Sequence, residues 1–272
     1  MDKLDHLGWV VSASFAIGEA RFAIRSTSHA FGEWLGDTLG AYEVEDVEDF
    51  AYSVVVPERG RGAKEFLILY RGSSAMIRTL DPVMLGRSLL AELESFGFHE
   101  RDDAIYVMAS LAEVRGVPAL IPSSIFPALA KLGRRASRQG WRLPGQRATA
   151  IDIEAATITP VEQTLDVPET ALERLAIALP SQGGDGMWFP DLPVNVGALV
   201  VASSDAESPL DRARKAYGLA ALTSSTLNLQ HVGGRGLEAI GRLVERAPCY
   251  RSDWADPHKV LSRLGDEIGA ST

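Results

Sequence analysis

Cysteine is almost absent from this sequence, and long apolar runs are missing altogether. The single cysteine, Cys249, excludes an intramolecular disulfide and a cysteine-rich zinc site. No stretch reaches the roughly 18 continuous apolar residues that a bilayer-spanning helix needs, so we expect no membrane association. Residues 1–10 include Asp2 and Asp5, and they lack the basic start and apolar run of a signal peptide. These absences favour a cytoplasmic protein.

An excess of positive charge is lacking as well. The sequence has 36 acidic and 27 basic residues, for a net charge of -9, which disfavours a general role in nucleic-acid binding. Basic residues nevertheless cluster in one segment: Lys131, Arg134, Arg135, Arg138, Arg142 and Arg147. This cluster is typical of a solvated helix face, or alternatively of a site for an anion or an acidic peptide.

Catalytic signatures are the third absence. The sequence contains no H-E-x-x-H, G-x-S-x-G or G-x-G-x-x-G motif, and its five histidines are scattered. We therefore predict no catalytic residue, no metal site and no cofactor from motifs of this kind.

What the sequence does have is enough apolar residues for a sizeable core and alternating strand and helix patterns. Of its 272 residues, 46% are hydrophobic. The alternation predicts an α/β protein, with a small N-terminal α/β lobe over 1–100 and a second domain over 101–272. In the second domain we expect paired strands over 105–112 and 117–121, one helix over 124–139, another over 209–222, and a loop over 181–193.

Several segments carry a family resemblance. They are Val117-Pro118-Ala119-Leu120-Ile121-Pro122, Gly140-Trp141-Arg142, the run FAIGEARFAIRSTSHAFGEWL at 15–35 and the run LEAIGRLVERAPCYR at 237–251. In pattern and spacing the chain resembles the HPr kinase-related proteins. The resemblance implies a P-loop kinase-like core preceded by a small lobe. An unrelated α/β fold is the alternative, and it predicts that no helix begins near Ser124.

The resemblance also exposes a loss. The family's P-loop, G-x-x-x-x-G-K-[ST], cradles phosphates with backbone N–H groups, neutralises them with lysine and holds Mg²⁺ with a hydroxyl. Placed on this sequence without gaps, its four defining positions fall on Ser123, Ala128, Leu129 and Ala130. Shifting the frame by two residues brings Lys131 to the lysine position but leaves Leu132 where the hydroxyl is needed. The chain is thus expected to be a degenerate member.

Other family positions are lost too. The family's acidic residues after the Gly-Trp turn have no counterpart in 142–147, and its histidine before the P-loop corresponds to Met108. Asp152 and Glu154 survive nearby at alternate positions, where we expect surface pairing more than metal binding. Since phosphoryl transfer depends on positioning and charge neutralisation, these losses predict an inactive, pseudokinase-like protein.

Two groups of residues remain as binding candidates. Ser123, Ser124, Lys131, Arg134 and Arg135 could hold a phosphate or carboxylate at the old P-loop. Trp188 and Phe189 could form a binding surface on the 181–193 loop, or could pin that loop to the core.

Two functions remain open. The first is a non-catalytic binding or scaffold partner, because the resemblance implies a link to peptide modification. Its partner would be a protein or peptide, with no nucleic acid or membrane, and a homo-oligomer is possible. The second is an enzyme that reuses the cleft, with Lys131, Arg134, Arg135, Asp152, Glu154 and His231 converging on one pocket.

Overall fold

A computed structural model describes most of the chain. The described residues are 4, 6–18, 20–45, 47, 50–57, 66–125, 128–129, 132–144, 147–159, 165–179, 187–188 and 193–269. Of the predicted site residues, Lys131 and Phe189 lie outside these ranges.

The described elements are numbered in chain order. The strands are β1 (Val11–Ile17), β2 (Ala20–Ser26), β3 (Phe50–Val55), β4 (Leu67–Arg71), β5 (Ser74–Thr79), β6 (Ile105–Val107), β7 (Ala109–Val114), β8 (Val117–Pro122), β9 (Trp141–Pro144), β10 (Thr149–Ile151), β11 (Ile158–Thr159), β12 (Met187–Trp188), β13 (Ala198–Ala202), β14 (Asp211–Arg212) and β15 (Cys249–Ser252). The α-helices are α1 (His29–Leu39), α2 (Pro82–Glu94), α3 (Gly133–Arg138), α4 (Ala171–Ala178), α5 (Lys215–Ser224), α6 (Leu229–Arg246) and α7 (Pro257–Gly269). Short 3-10 helices cover Gly40–Tyr42, Ser95–Glu100 and Ser123–Ile125.

These elements make the protein mixed α/β, and they belong to two compact units. Unit 1 comprises 1–97 and 163–185, and unit 2 comprises 98–162 and 186–272. The segment 163–185, which contains α4, therefore belongs with the N-terminal residues. The domain boundary predicted near residue 100 assigned this segment to the second domain instead.

Unit 1 is a five-stranded sheet, ordered β1-β2-β3-β4-β5, with helices packed on it. Helix α1 begins where the sequence predicts, because the Ser28 hydroxyl accepts a hydrogen bond from the Phe31 N–H at 3.3 Å. The Trp34 indole N–H donates to the Ala171 carbonyl at 2.7 Å and so joins α1 to α4.

Unit 2 is built on a seven-stranded sheet, ordered β12-β9-β7-β8-β13-β15-β14, with a second sheet ordered β11-β10-β6. Its centre is parallel: β13 pairs with β8 on one side and with β15 on the other. These strands are buried on both faces, as is typical of parallel sheets. One face packs on Leu243 and Val244 of α6, and the other packs on Leu261 and Leu264 of α7.

Three expectations for unit 2 are wrong. The 105–112 strand is split, because the Met108 N–H leaves the sheet to donate to the Ser225 carbonyl at 2.8 Å. The 124–139 helix is not continuous, since Ser123–Ile125 form a 3-10 turn, Leu132 lies in a turn and α3 begins at Gly133. The 209–222 helix begins later, because Asp211–Arg212 pair with β15 as a strand before α5 starts.

Candidate functional site

The turn after β8 is where the resemblance would place a phosphate-binding loop. The chain leaves the strand in a single 3-10 turn, Ser123–Ile125. Ser123 and Ile125 are buried, at 7% and 9% exposed, while Ser124 faces outward. The Ser123 N–H, the first that an anion could use, points to the Met108 carbonyl at 3.4 Å. Over Ser123–Ile125 the chain therefore packs onto the core, and the first N–H of this segment is already engaged.

A cavity of about 210 Å³ opens beside this turn, at the carboxyl ends of β8 and β13. Open α/β sheets commonly bind ligands at this edge. The end of α5 forms the opposite wall. The described lining residues are Met108, Ala109, Leu120, Ile121, Pro122, Ser124, Leu199, Val200, Val201, Ala202, Ala221, Leu222, Ser224 and Ser225.

The chemistry of this cavity is apolar with a few hydroxyls. None of its described lining residues carries a charge. The Ser224 hydroxyl donates to the Ala221 carbonyl at 3.1 Å, so it is already engaged by its own helix. Ser124 is exposed and Ser225 is half-buried, and within the described ranges neither hydroxyl has a hydrogen-bond partner. Two hydroxyls are therefore available to a ligand.

The size of the cavity limits its ligand. Sites for whole drug-sized molecules usually measure about 300–1,000 Å³, and this cavity is smaller at about 210 Å³. It can accept one apolar group, such as a peptide side chain, with a hydroxyl or carbonyl directed at Ser124 or Ser225.

The predicted anion-binding residues are only partly gathered here. Ser124 lines the cavity, whereas Ser123 turns toward the core. Arg134 and Arg135 lie in α3, and Arg135 is exposed. Arg135 is not among the residues that line the cavity.

The surviving carboxylates have a local structural role. Asp152 Oδ1 accepts hydrogen bonds from the N–H groups of Glu154, at 2.9 Å, and Ala155, at 2.5 Å. This bonding stabilises a turn in which Ala156 adopts a left-handed φ of 53°. Glu154 is exposed, and His231 is exposed at the start of α6. Neither these residues nor Asp152 line the cavity.

The loop candidates are described only in part. Trp188 lies in β12, which pairs in parallel with β9, and this pairing adds a strand to a segment that was expected to be a loop. Phe189 lies outside the described residues.

Sequence reasoning missed the residues that close the cavity. Ser224 and Ser225 fell just beyond the helix predicted to end at Leu222, and Met108 was considered only as a replaced histidine. The hydroxyl-rich run Thr223-Ser224-Ser225-Thr226 was the available signal, because such residues often end helices and line polar edges.

No protein-family model, curated protein or solved structure matches the chain. The HPr kinase-related assignment therefore stays a prediction from the residues quoted above.

Two further observations concern the described ranges as a whole. Within them, no helix combines the length and hydropathy that spanning a bilayer requires. In the same part of the chain, no three or more His, Cys, Asp or Glu side chains are grouped as metal ligands would be.

Cys249 is a buried free thiol, and burial raises its pKa, so it stays protonated at neutral pH.

Proposed function

We propose that the chain is a catalytically inactive, HPr kinase-like protein that binds a peptide or protein partner and transfers no phosphate. In this proposal the cavity at the ends of β8 and β13 holds one apolar side chain of the partner.

The observation that carries the proposal is the turn after β8. A triphosphate needs free N–H groups, a cation and, for Mg²⁺, a hydroxyl or carboxylate. At this turn the Ser123 N–H is directed at the Met108 carbonyl, and the neighbouring Ile125 side chain is buried. The Ser123 N–H is thus engaged within the protein, and an anion would have to displace this bond in order to use it.

The cavity adds independent support. Its described lining is uncharged, so it offers a nucleotide's phosphates no neutralising group. An apolar side chain gains from burial there, at about 25 cal/mol per Å² of surface removed from water. The free hydroxyls of Ser124 and Ser225 would orient the partner through its backbone carbonyl or N–H groups.

An enzyme that reuses the cleft receives less support. Of its six candidate groups, Arg135, Asp152, Glu154 and His231 have described side chains, and none of the four lines the cavity. Asp152 is also engaged in stabilising its own turn.

Calorimetric titration of the full chain with ATP and Mg²⁺ tests the loss of phosphate binding. We expect only heats of dilution up to millimolar nucleotide. A dissociation constant in the micromolar range would overturn the proposal.

Selection from a displayed peptide library tests the binding role. We expect enriched peptides to share one apolar anchor, and Ser124→Trp to lose them, because Ser124 is an exposed wall of the cavity. The matched control is Ser204→Trp, at an exposed serine just past β13 that does not line the cavity. Equal loss in both variants, or none in either, would contradict a role for the cavity.

A further inference from the structure

Positive charge is strongly segregated along this chain. The segment 114–151 contains Arg115 and the six clustered basic residues, which makes seven, and it has no Asp or Glu. The remainder has 20 basic and 36 acidic residues. The segment therefore carries a net charge of +7, and the rest of the chain carries -16. Such an asymmetry along the sequence indicates an interaction surface.

The fold brings part of this charge together. Arg135 and Arg138 are exposed and lie three residues apart on α3, so they share one helix face. A turn at Gly140, with φ of 71°, leads directly into β9, where the Arg142 side chain is 58% exposed. We call Arg135, Arg138 and Arg142 the α3–β9 basic surface.

Two of these guanidinium groups have no polar partner among the described residues. In that part of the chain, the side chains of Arg135 and Arg138 make no ion pair and no hydrogen bond. The Arg142 guanidinium forms a salt bridge with the Glu113 carboxylate at 3.6 Å, across the β7–β9 pairing. Like charges three residues apart destabilise a helix by a few tenths of a kcal/mol. Their position in the last turn of α3, where the helix dipole favours cations, offsets that cost.

We infer that the α3–β9 basic surface binds an acidic segment of the peptide partner, an inference that rests on the proposed function in taking that partner to be a peptide. Arginine binds a carboxylate with two parallel N–H···O bonds, so Arg135 and Arg138 can each engage one Glu or Asp side chain, and Arg142 adds positive charge beside them. Helix α3 has six residues and is about 9 Å long. At physiological salt the Debye length is about 8 Å, so the charges on this helix act mainly on a ligand segment of about the same length.

The short length of the α3–β9 basic surface favours a peptide over a nucleic acid as its ligand. A brief run of carboxylates fits within the surface and is screened from the acidic remainder of the chain. A long polyanion extends past the surface onto the rest of unit 2, which has 17 acidic and 10 basic residues outside 114–151, and the resulting net charge of -7 opposes its binding.

Fluorescence anisotropy with a rhodamine-labelled decapeptide of alternating Glu and Gly tests the inference on the full chain. We expect the double variant Arg135→Glu/Arg138→Glu to weaken binding at least tenfold at 50 mM salt. The control, Arg212→Glu/Arg214→Glu, changes net charge equally at two exposed arginines outside the surface and should stay within twofold of wild type.

Three results would overturn the inference: no peptide binding by wild type, equal losses in the two double variants, or tighter binding of a labelled decauridylate than of the peptide. The outcome is separable from the nucleotide titration. ATP binding would end the proposed function, but it would not change the ratio of the peptide dissociation constants of the two double variants.

Discussion

Unit 2 uses its cations in two different ways, and the α5–α6 region and the α3–β9 basic surface show the contrast. In the first region, Lys215 Nζ donates to three carbonyls near the end of α6: those of Val244, Glu245 (2.9 Å) and Ala247 (2.6 Å). Arg246 of the same helix donates to the Ala155 carbonyl at 2.7 Å. These cations satisfy carbonyls that the helix and a turn would otherwise leave open.

The basic surface has the same residue types without those bonds. Arg135 and Arg138 stand in solvent on a short helix, and within the described residues neither meets an acceptor. Removal of a cation should therefore cost stability in the first region and only binding in the second. The predictions below test that difference, beginning with the residue that anchors the α5–α6 region most firmly.

Asn228, which lies just before α6, should show the largest effect. It is fully buried, donates to the carbonyls of Arg101 and Ala104 at 2.7 Å each, and accepts from the Tyr106 N–H at 3.0 Å. Asn228→Leu removes all three bonds and leaves their partners buried, so we expect a loss of about 3 kcal/mol in urea unfolding followed by circular dichroism. Asn228→Asp keeps the acceptor but turns a buried carboxylate toward two carbonyl oxygens, so it should lose at least as much at neutral pH. A loss below about 1 kcal/mol for the leucine variant would contradict this role.

Gly233 should come next. It interrupts α6 with φ 53° and ψ -136°, a conformation that is essentially restricted to glycine. Space is not the limit there, since nothing lies within 4 Å of an added Cβ. Gly233→Ala should thus cost about 1–3 kcal/mol through backbone strain alone.

Gly234 is the matched control, because its added Cβ also meets open space but its φ is not positive. Gly234→Ala should be neutral or stabilising by up to about 1 kcal/mol, as expected for alanine in a helix. Equal thermal shifts for the two variants would exclude backbone strain as the cause.

Substitution of Lys215 tests whether a cation of the α5–α6 region stabilises the fold. Lys215→Met keeps the apolar stem and removes the three bonds to α6 carbonyls, so we expect a loss of about 1–2 kcal/mol in the same urea experiment. Lys259→Met, at an exposed lysine that pairs with Asp256, should leave the midpoint unchanged. If the two substitutions had equal effects, the bonds of Lys215 would not be structural.

Local signals made parts of this fold predictable. The Ser28 cap and helical spacing located α1, and the apolar run at 117–121 located β8. The misses depend on long-range partners. Nothing local shows that Met108 bonds Ser225, or that Asp211–Arg212 pair with β15 before α5 starts.

The candidate site likewise has features that follow from local sequence and features that depend on long-range contacts. The residues at 123 and 128–130 are read directly from the sequence, and together with the family resemblance they predicted a loop unsuited to phosphate. The cavity is lined by residues of β8, β13 and the end of α5, which are far apart in the sequence. No local pattern predicts that these elements lie side by side. The charge on Arg135 and Arg138 was visible as a cluster in the sequence, but only the fold shows that their side chains have no acceptor among the described residues.

The smallest effect on stability should come from the basic surface itself. Arg135→Ala/Arg138→Ala removes two exposed side chains and relieves a like-charge pair on α3, and alanine favours helix. We expect the free energy of unfolding to change by no more than about 0.5 kcal/mol, with a gain as readily as a loss. Binding of the acidic decapeptide should fall all the same. A loss above about 1 kcal/mol would mean that these guanidiniums hold the fold together as Lys215 does, and the contrast between the two regions would disappear.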